Sequence, residues 1–241
     1  MELDAKIAAA AVLLERIQDK FNPATLASSL GAEDMVLTDL VAKYAPAISI
    51  FSLDTGRLNP ETYDLLAKVQ ETYGDKIELR VFYPQAEAIQ QYVQANGINA
   101  FYNSVDLRKA CCGIRKVEPL KRALAGQKAW ITGMRRQQAV TRAEMPVEEY
   151  DADHGLTKFN PLADWTEKEV WEYIRANNVP YNALHDKHYP SIGCAPCTRA
   201  IAVGEDVRAG RWWWEDEAGK ECGLHVKNAS AVTPIKFETT K

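Results

Sequence analysis

Four of the five cysteines in this chain fall in two pairs, Cys111-Cys112 and Cys194-Ala195-Pro196-Cys197; the fifth, Cys222, stands apart in Glu221-Cys222-Gly223-Leu224-His225. Thiolates bind soft metal ions, and a Cys-x-x-Cys turn offers two sulfurs to one centre. Adjacent cysteines are more awkward, because neighbouring side chains on a helix diverge by about 100 degrees. Joint ligation by Cys111 and Cys112 then needs a bulky centre or a distorted backbone. An iron-sulfur cluster with several iron corners suits this better than a single zinc ion; buried cysteines acting as small hydrophobes come third. Cys222 has no packing role in a polar stretch beside Gly223 and His225. An accessible thiolate near a histidine is a candidate nucleophile, the alternative being an incidental exposed thiol.

Cations accompany the cysteines. Arg115 and Lys116 follow the first pair and can balance an anionic centre while reaching an anionic ligand. Arg135-Arg136, directly after an apolar run, offers paired guanidiniums for phosphate or sulfate, and Arg199, Arg208 and Arg211 could add to them. The turn Ser28-Ser29-Leu30-Gly31-Ala32-Glu33-Asp34 resembles a phosphate loop only weakly, since ordinary helix capping uses the same residues. Histidines 154, 185 and 188 read as structural or surface groups. Trp212-Trp213-Trp214 reads first as packing and second as a purine platform.

The elements that must position these groups follow from periodicity. Apolar residues at helical spacing from Leu3 to Phe21 predict an amphipathic helix, ended by Asn22-Pro23. Strands are expected at 24–30, 47–53, 77–83 and 129–132. Helices are expected between them, with Pro60 opening one and Thr166 capping another with Glu169 three residues on. Residues 148–159 read as a short hairpin or an edge strand. Alternating strands and helices predict an α/β fold: a mostly parallel twisted sheet with helices on both faces, and ligands at the carboxyl ends of the strands. The loops at 28–33, 54–57 and 133–136 sit there. Residues 1–204 are expected to form this domain, and 205–241 a mobile C-terminal tail carrying Cys222.

The 241 residues are 46% hydrophobic and 26% charged, an ordinary globular balance. No apolar run approaches the roughly 20 residues of a membrane span, and the N-terminus lacks a secretory layout, so a cytoplasmic location is the default. Five cysteines then argue for metal binding or thiol chemistry over disulfides. Net charge is -4, yet residues 105–142 hold ten Lys or Arg against two acids. A focused positive region suits a small polyanion better than a nucleic acid, although a solvated basic helix would read the same way.

Taken together, the Ser28 to Asp34 turn, Leu53-Asp54-Thr55-Gly56-Arg57-Leu58, Cys111-Cys112-Gly113-Ile114-Arg115-Lys116, Ile131-Thr132-Gly133-Met134-Arg135-Arg136, Ser191-Ile192-Gly193-Cys194-Ala195-Pro196-Cys197-Thr198-Arg199 and Glu221 to His225 resemble the assimilatory sulfonucleotide reductases, specifically the iron-sulfur adenosine 5'-phosphosulfate (APS) reductases. Relatives that use the 3'-phosphorylated substrate (PAPS) usually lack the four paired cysteines. The resemblance implies an adenine nucleotide alpha-hydrolase-like (Rossmann-like) fold and a 4Fe-4S cluster on Cys111, Cys112, Cys194 and Cys197. It implies that Cys222 attacks the sulfate sulfur, AMP leaves, and thioredoxin reduces the resulting S-sulfocysteine to release sulfite, in sulfate assimilation and cysteine biosynthesis. Substrate contacts are expected from Ser28, Ser29, Gly31, Leu53, Thr55, Lys116, Arg135, Arg136, Arg208, Arg211 and His225, and the family suggests a dimer or tetramer. Leu30, Asn59 and His188 depart from the residues common in the family. A PAPS reductase is the alternative, ahead of an ATP-pyrophosphatase-type thiolation enzyme, whose glycine-rich loop is absent at 28–34, and a non-catalytic sensor.

Overall fold

The computed structural model describes residues 2–138 and 142–215; Cys222 and His225 lie outside the described residues. The leading helix α1 (Leu3–Lys20) buries Ala10, Ala11, Leu14 and Ile17, the stripe its periodicity predicts. Strands β1 (Ala24–Ala27), β2 (Ser49–Leu53), β3 (Leu79–Phe82) and β4 (Ala129–Ile131) alternate with α2 (Ala32–Tyr44), α3 (Pro60–Tyr73), α4 (Ala86–Asn96), α5 (Val105–Cys112) and α6 (Glu118–Leu124). The hairpin expected at 148–159 is β5 (Glu148–Asp151) antiparallel to β6 (Leu156–Phe159), and α7 (Glu167–Asn177) follows.

The sheet order is β3-β2-β1-β4-β6-β5, and every pairing but β5 with β6 is parallel. Central β1 pairs Thr25 with Ser49 on one side and with Trp130 on the other. Helices α1, α2, α3 and α7 cover one face over a core that includes Leu14, Met35, Leu37, Val69, Trp165 and Tyr173. Helix α6 covers the other face through Leu120 and Leu124 against Phe51 and Trp130. The capping box on α7 is complete: Thr166 accepts from Glu169 N-H, and the Glu169 side chain takes the Thr166 N-H.

Two expectations change. The strand expected through Leu30 stops at Ala27, because Ser28 to Leu30 already turn toward α2, with Leu30 at a φ of 61°. The tail expected from 205 is packed on the body as far as Glu215. Arg211 bridges Thr198, Trp212 is 1% exposed, and Glu215 makes a buried ion pair with Arg108. The tryptophans pack here as expected, with Trp214 against Phe101 and Tyr102.

Candidate functional site

Because β1 has β2 on one side and β4 on the other, the connections leaving their carboxyl ends diverge and open a crevice. A cavity of about 300 Å³ occupies it, lined by Ser28, Ser29, Gly31, Leu53, Thr55, Lys116, Arg135, Arg208 and Arg211. These expected substrate contacts therefore converge, from positions up to 183 residues apart.

The β1 loop is held from inside. Ser29 donates to Asp34 Oδ2 twice, from its N-H and its hydroxyl, each at 2.7 Å, and Leu30 N-H donates to Ser28 Oγ at 3.2 Å. Burial raises the Asp34 carboxyl to about 6, against the pull of the Ser29 hydrogen bonds; Glu33 adds to the rise and Gly133 N-H opposes it. Gly133 has no room for a side chain, since a Cβ there would lie 2.3 Å from Asp34 Oδ1. Asp34 thus ties the β1 loop to the β4 loop across the crevice. An acid in the first turn of a helix is ordinary capping, so nothing in the sequence marks it.

The two arginines after β4 part company. Arg135 turns inward, 6% exposed, with Nε 2.8 Å from Glu33 Oε1. Arg136 does not line the cavity: its Nε donates to the Met145 carbonyl at 2.8 Å and its Nη1 pairs with Asp164. Both lie beyond the end of β4, where Glu33 draws one inward and Asp164 with the Met145 carbonyl holds the other outside, so the pair expected to act together is split. His185, read as structural or surface, also lines the crevice, edge-on to Trp171 at 5.1 Å, and burial lowers its pKa.

A second, smaller cavity holds all four paired cysteines together with Arg57, Arg108, Arg115, Lys116 and Trp212. Ser104 caps α5, accepting from Leu107 N-H at 3.1 Å, and the cysteine pair ends that helix. The backbone is distorted directly after the pair: Gly113–Val117 is π-helical before α6 begins. Such wide turns cluster at functional sites. Arg115 in this turn donates to the Thr55 carbonyl at 2.5 Å and so joins it to the β2 loop. The second pair sits on the turn Ala195–Cys197, where Cys197 N-H donates to the Cys194 carbonyl at 2.9 Å. Cys194 Sγ is 3.2 Å from Thr55 Oγ1. Lys116 and Cys194 line both cavities.

The four thiols are free of disulfides. Burial raises the pKa of Cys111, with Arg115 opposing; burial and then Cys194 push Cys197 up to about 12, with Lys116 pulling down. Neutral thiols are therefore favoured unless a positive centre accepts them as thiolates, and a soft metal centre does that. By donor chemistry the set fits such a centre. The thiols share the cavity without closing on one ion: among the described residues no group of three or more His, Cys, Asp or Glu is placed to hold a metal ion.

The sequence profile of the phosphoadenosine phosphosulfate reductase domain matches residues 23–200. An adenosine 5'-phosphosulfate reductase from Allochromatium vinosum is 57% identical over 232 residues, 96% of this chain and 90% of that protein. The solved phosphoadenylyl-sulfate (PAPS) reductase of Candida auris, a phosphate complex, superposes with a TM-score of 0.69 at 29% identity, over 83% of this chain and 96% of that one. The NH3-dependent NAD synthetase of Campylobacter jejuni shares the fold alone, with a TM-score of 0.53 at 12% identity over 78% of each chain.

Proposed function

This chain belongs to the phosphoadenosine phosphosulfate reductase domain family, and from that premise we propose that it reduces adenosine 5'-phosphosulfate to sulfite and AMP. The observation that carries this reading is the junction of the two cavities, where Lys116 and Cys194 belong to both the nucleotide crevice and the four-cysteine site. Ser28 and Gly31 receive the nucleotide phosphate in a loop that Asp34 shapes through Ser29. Leu53 and Thr55 take the adenosine side. Lys116, Arg135, Arg208 and Arg211 face the phosphosulfate, where charge develops as AMP departs. Arg136, committed to Asp164, is left out of this set.

The nucleophile in this reading is Cys222. Its thiolate attacks the sulfate sulfur, the bond from sulfur to the bridging phosphate oxygen breaks, and AMP carries off that electron pair. An S-sulfocysteine remains. One thiol of thioredoxin then attacks the Cys222 sulfur, sulfite leaves with the electron pair of the sulfur-sulfur bond, and a mixed disulfide forms; the second thioredoxin thiol attacks the thioredoxin sulfur of that bond, so that Cys222 is released as thiolate and thioredoxin departs as a disulfide. Cys111, Cys112, Cys194 and Cys197 would hold a 4Fe-4S cluster, which when bound supplies a compact charged centre beside Lys116 and not the electrons. A cytoplasmic location and a dimer or tetramer complete the reading on the family resemblance; among the described residues no helix is long and apolar enough to cross a membrane.

Sulfite release from APS and from PAPS, measured side by side with thioredoxin, tests this. APS should be preferred by at least about tenfold, and Cys222→Ser should fall by about 1,000-fold or more. A strong PAPS preference overturns the substrate, and full sulfite formation by Cys222→Ser overturns the mechanism.

A further inference from the structure

The segment that joins the two cavities contains a residue in an uncommon conformation. Trp212 has a φ of 43°, in the left-handed region, where a bulky aromatic is an outlier held only by its surroundings. Those surroundings are well defined. The ring is 1% exposed, and the guanidiniums of Arg108 and Arg211 both lie over it, at 4.7 and 4.8 Å from its centroid. The Trp212 backbone N-H donates to the Cys197 carbonyl at 3.2 Å, and the residue lines the cavity of the paired cysteines.

Its neighbour Arg211 reaches the other cavity. Arg211 is 8% exposed, lines the nucleotide crevice, and lies so close to Gly193 that a Cβ there would be 2.5 Å from its Nη2. On the far side of Trp212, Arg108 grips Glu215 through two hydrogen bonds of 2.9 and 2.7 Å, returning the chain to α5 just ahead of Cys111. Trp212 thus touches the cysteine turn through its backbone and Arg211 through its ring.

We infer that Trp212 is a positioning residue: its ring sets the Arg211 guanidinium toward the phosphosulfate and makes that placement depend on the four-cysteine lobe. This rests on the reading of the crevice as an APS site. A tryptophan in a triple-tryptophan run would otherwise be plain packing, and packing alone would not discriminate between ligands by charge.

Equilibrium binding of APS and of adenosine to full-length, cluster-loaded Cys222→Ser protein separates the two, since that parent binds without turnover. Trp212→Leu should lose about tenfold or more in APS affinity with adenosine affinity unchanged. Arg211→Ala should lose as much, and the double variant should be no worse than Arg211→Ala. Trp212→Phe, which keeps a ring face, should recover most of the affinity. Native APS affinity in Trp212→Leu, or losses that multiply in the double variant, overturns the inference. Should Trp212→Leu not fold, Trp212→Gly accepts the left-handed backbone without strain, and native APS affinity there overturns it equally. Native APS affinity in Arg211→Ala overturns it too and leaves the reductase reading standing on Lys116, Arg135 and Arg208. Failure of the Cys222→Ser parent to bind APS sinks the reductase reading itself.

Discussion

Asp34 is an acid buried at the loop proposed to receive the nucleotide phosphate, and the reason lies in its acceptor count. Its two oxygens take Ser29 N-H, the Ser29 hydroxyl and Gly133 N-H, three donors that an amide in its place could not all satisfy. The cost is a carboxyl raised by burial from 3.8 to about 6. Since the folded value exceeds the unfolded one, the native state binds the proton more tightly between these values. Stability is then greatest below about pH 4 and is lost as pH rises through 6, by at most roughly 3 kcal/mol from this group. Asp34→Asn removes that slope. Denaturant unfolding of both proteins from pH 4 to 7 should show their stability difference moving toward the variant as pH rises, while AMP affinity at neutral pH falls about tenfold in the variant. Parallel stability profiles would show that Asp34 is not titrating there.

At the level of elements, two N-caps of similar strength should have separable consequences. Thr166 caps α7 within a full capping box, and Ser104 caps α5, which ends in the cysteine pair. Replacing either by alanine should lower unfolding free energy by about 1 kcal/mol. Only Ser104→Ala loosens the helix that carries Cys111 and Cys112, so chelator-driven iron loss from the proposed cluster should quicken several-fold there and stay native in Thr166→Ala. Equal loss from both would mean that α5 does not hold the centre. The Thr166 box was legible in the sequence, as were the cysteine pairs, the parallel alternation and the edge hairpin, because each rests on spacing within about a dozen residues. The π-helical turn at 113–117 was not, since only its long-range contacts, Arg115 to Thr55 among them, make a wide turn favourable. The fate of Arg136 was hidden for the same reason: Asp164 and the Met145 carbonyl are partners supplied by the fold. Asp34 and Trp212 carry no local signal at all, one resembling a capping acid and the other a packing tryptophan.

Over the whole molecule, the excess of basic residues at 105–142 overstates the field that a dianionic substrate meets. Arg108, Arg135 and Arg136 are met by Glu215, Glu33 and Asp164, carboxylates that come from outside that segment, and Arg122 is met by Glu118 within it. The crevice also carries acids of its own, Glu33, Asp34 and Glu167. The cations that line the crevice are a local set: Lys116 beside the cysteine cavity, Arg135 after β4, and Arg208 and Arg211 from the segment beyond Gly204 that packs across it. Charges within a few ångströms of a buried ligand are screened far less than a long-range steering field, which salt removes over a Debye length of about 8 Å at physiological ionic strength. Raising salt from about 0.05 to 0.5 M should therefore raise KM for APS only a few-fold and leave kcat within about twofold. A loss of orders of magnitude in kcat/KM would show that the distributed charge governs capture. Adenosine binding, having no anion to place, should be flat over the same range, and a matching salt dependence for adenosine would trace the effect to the protein's folding and not to its cations.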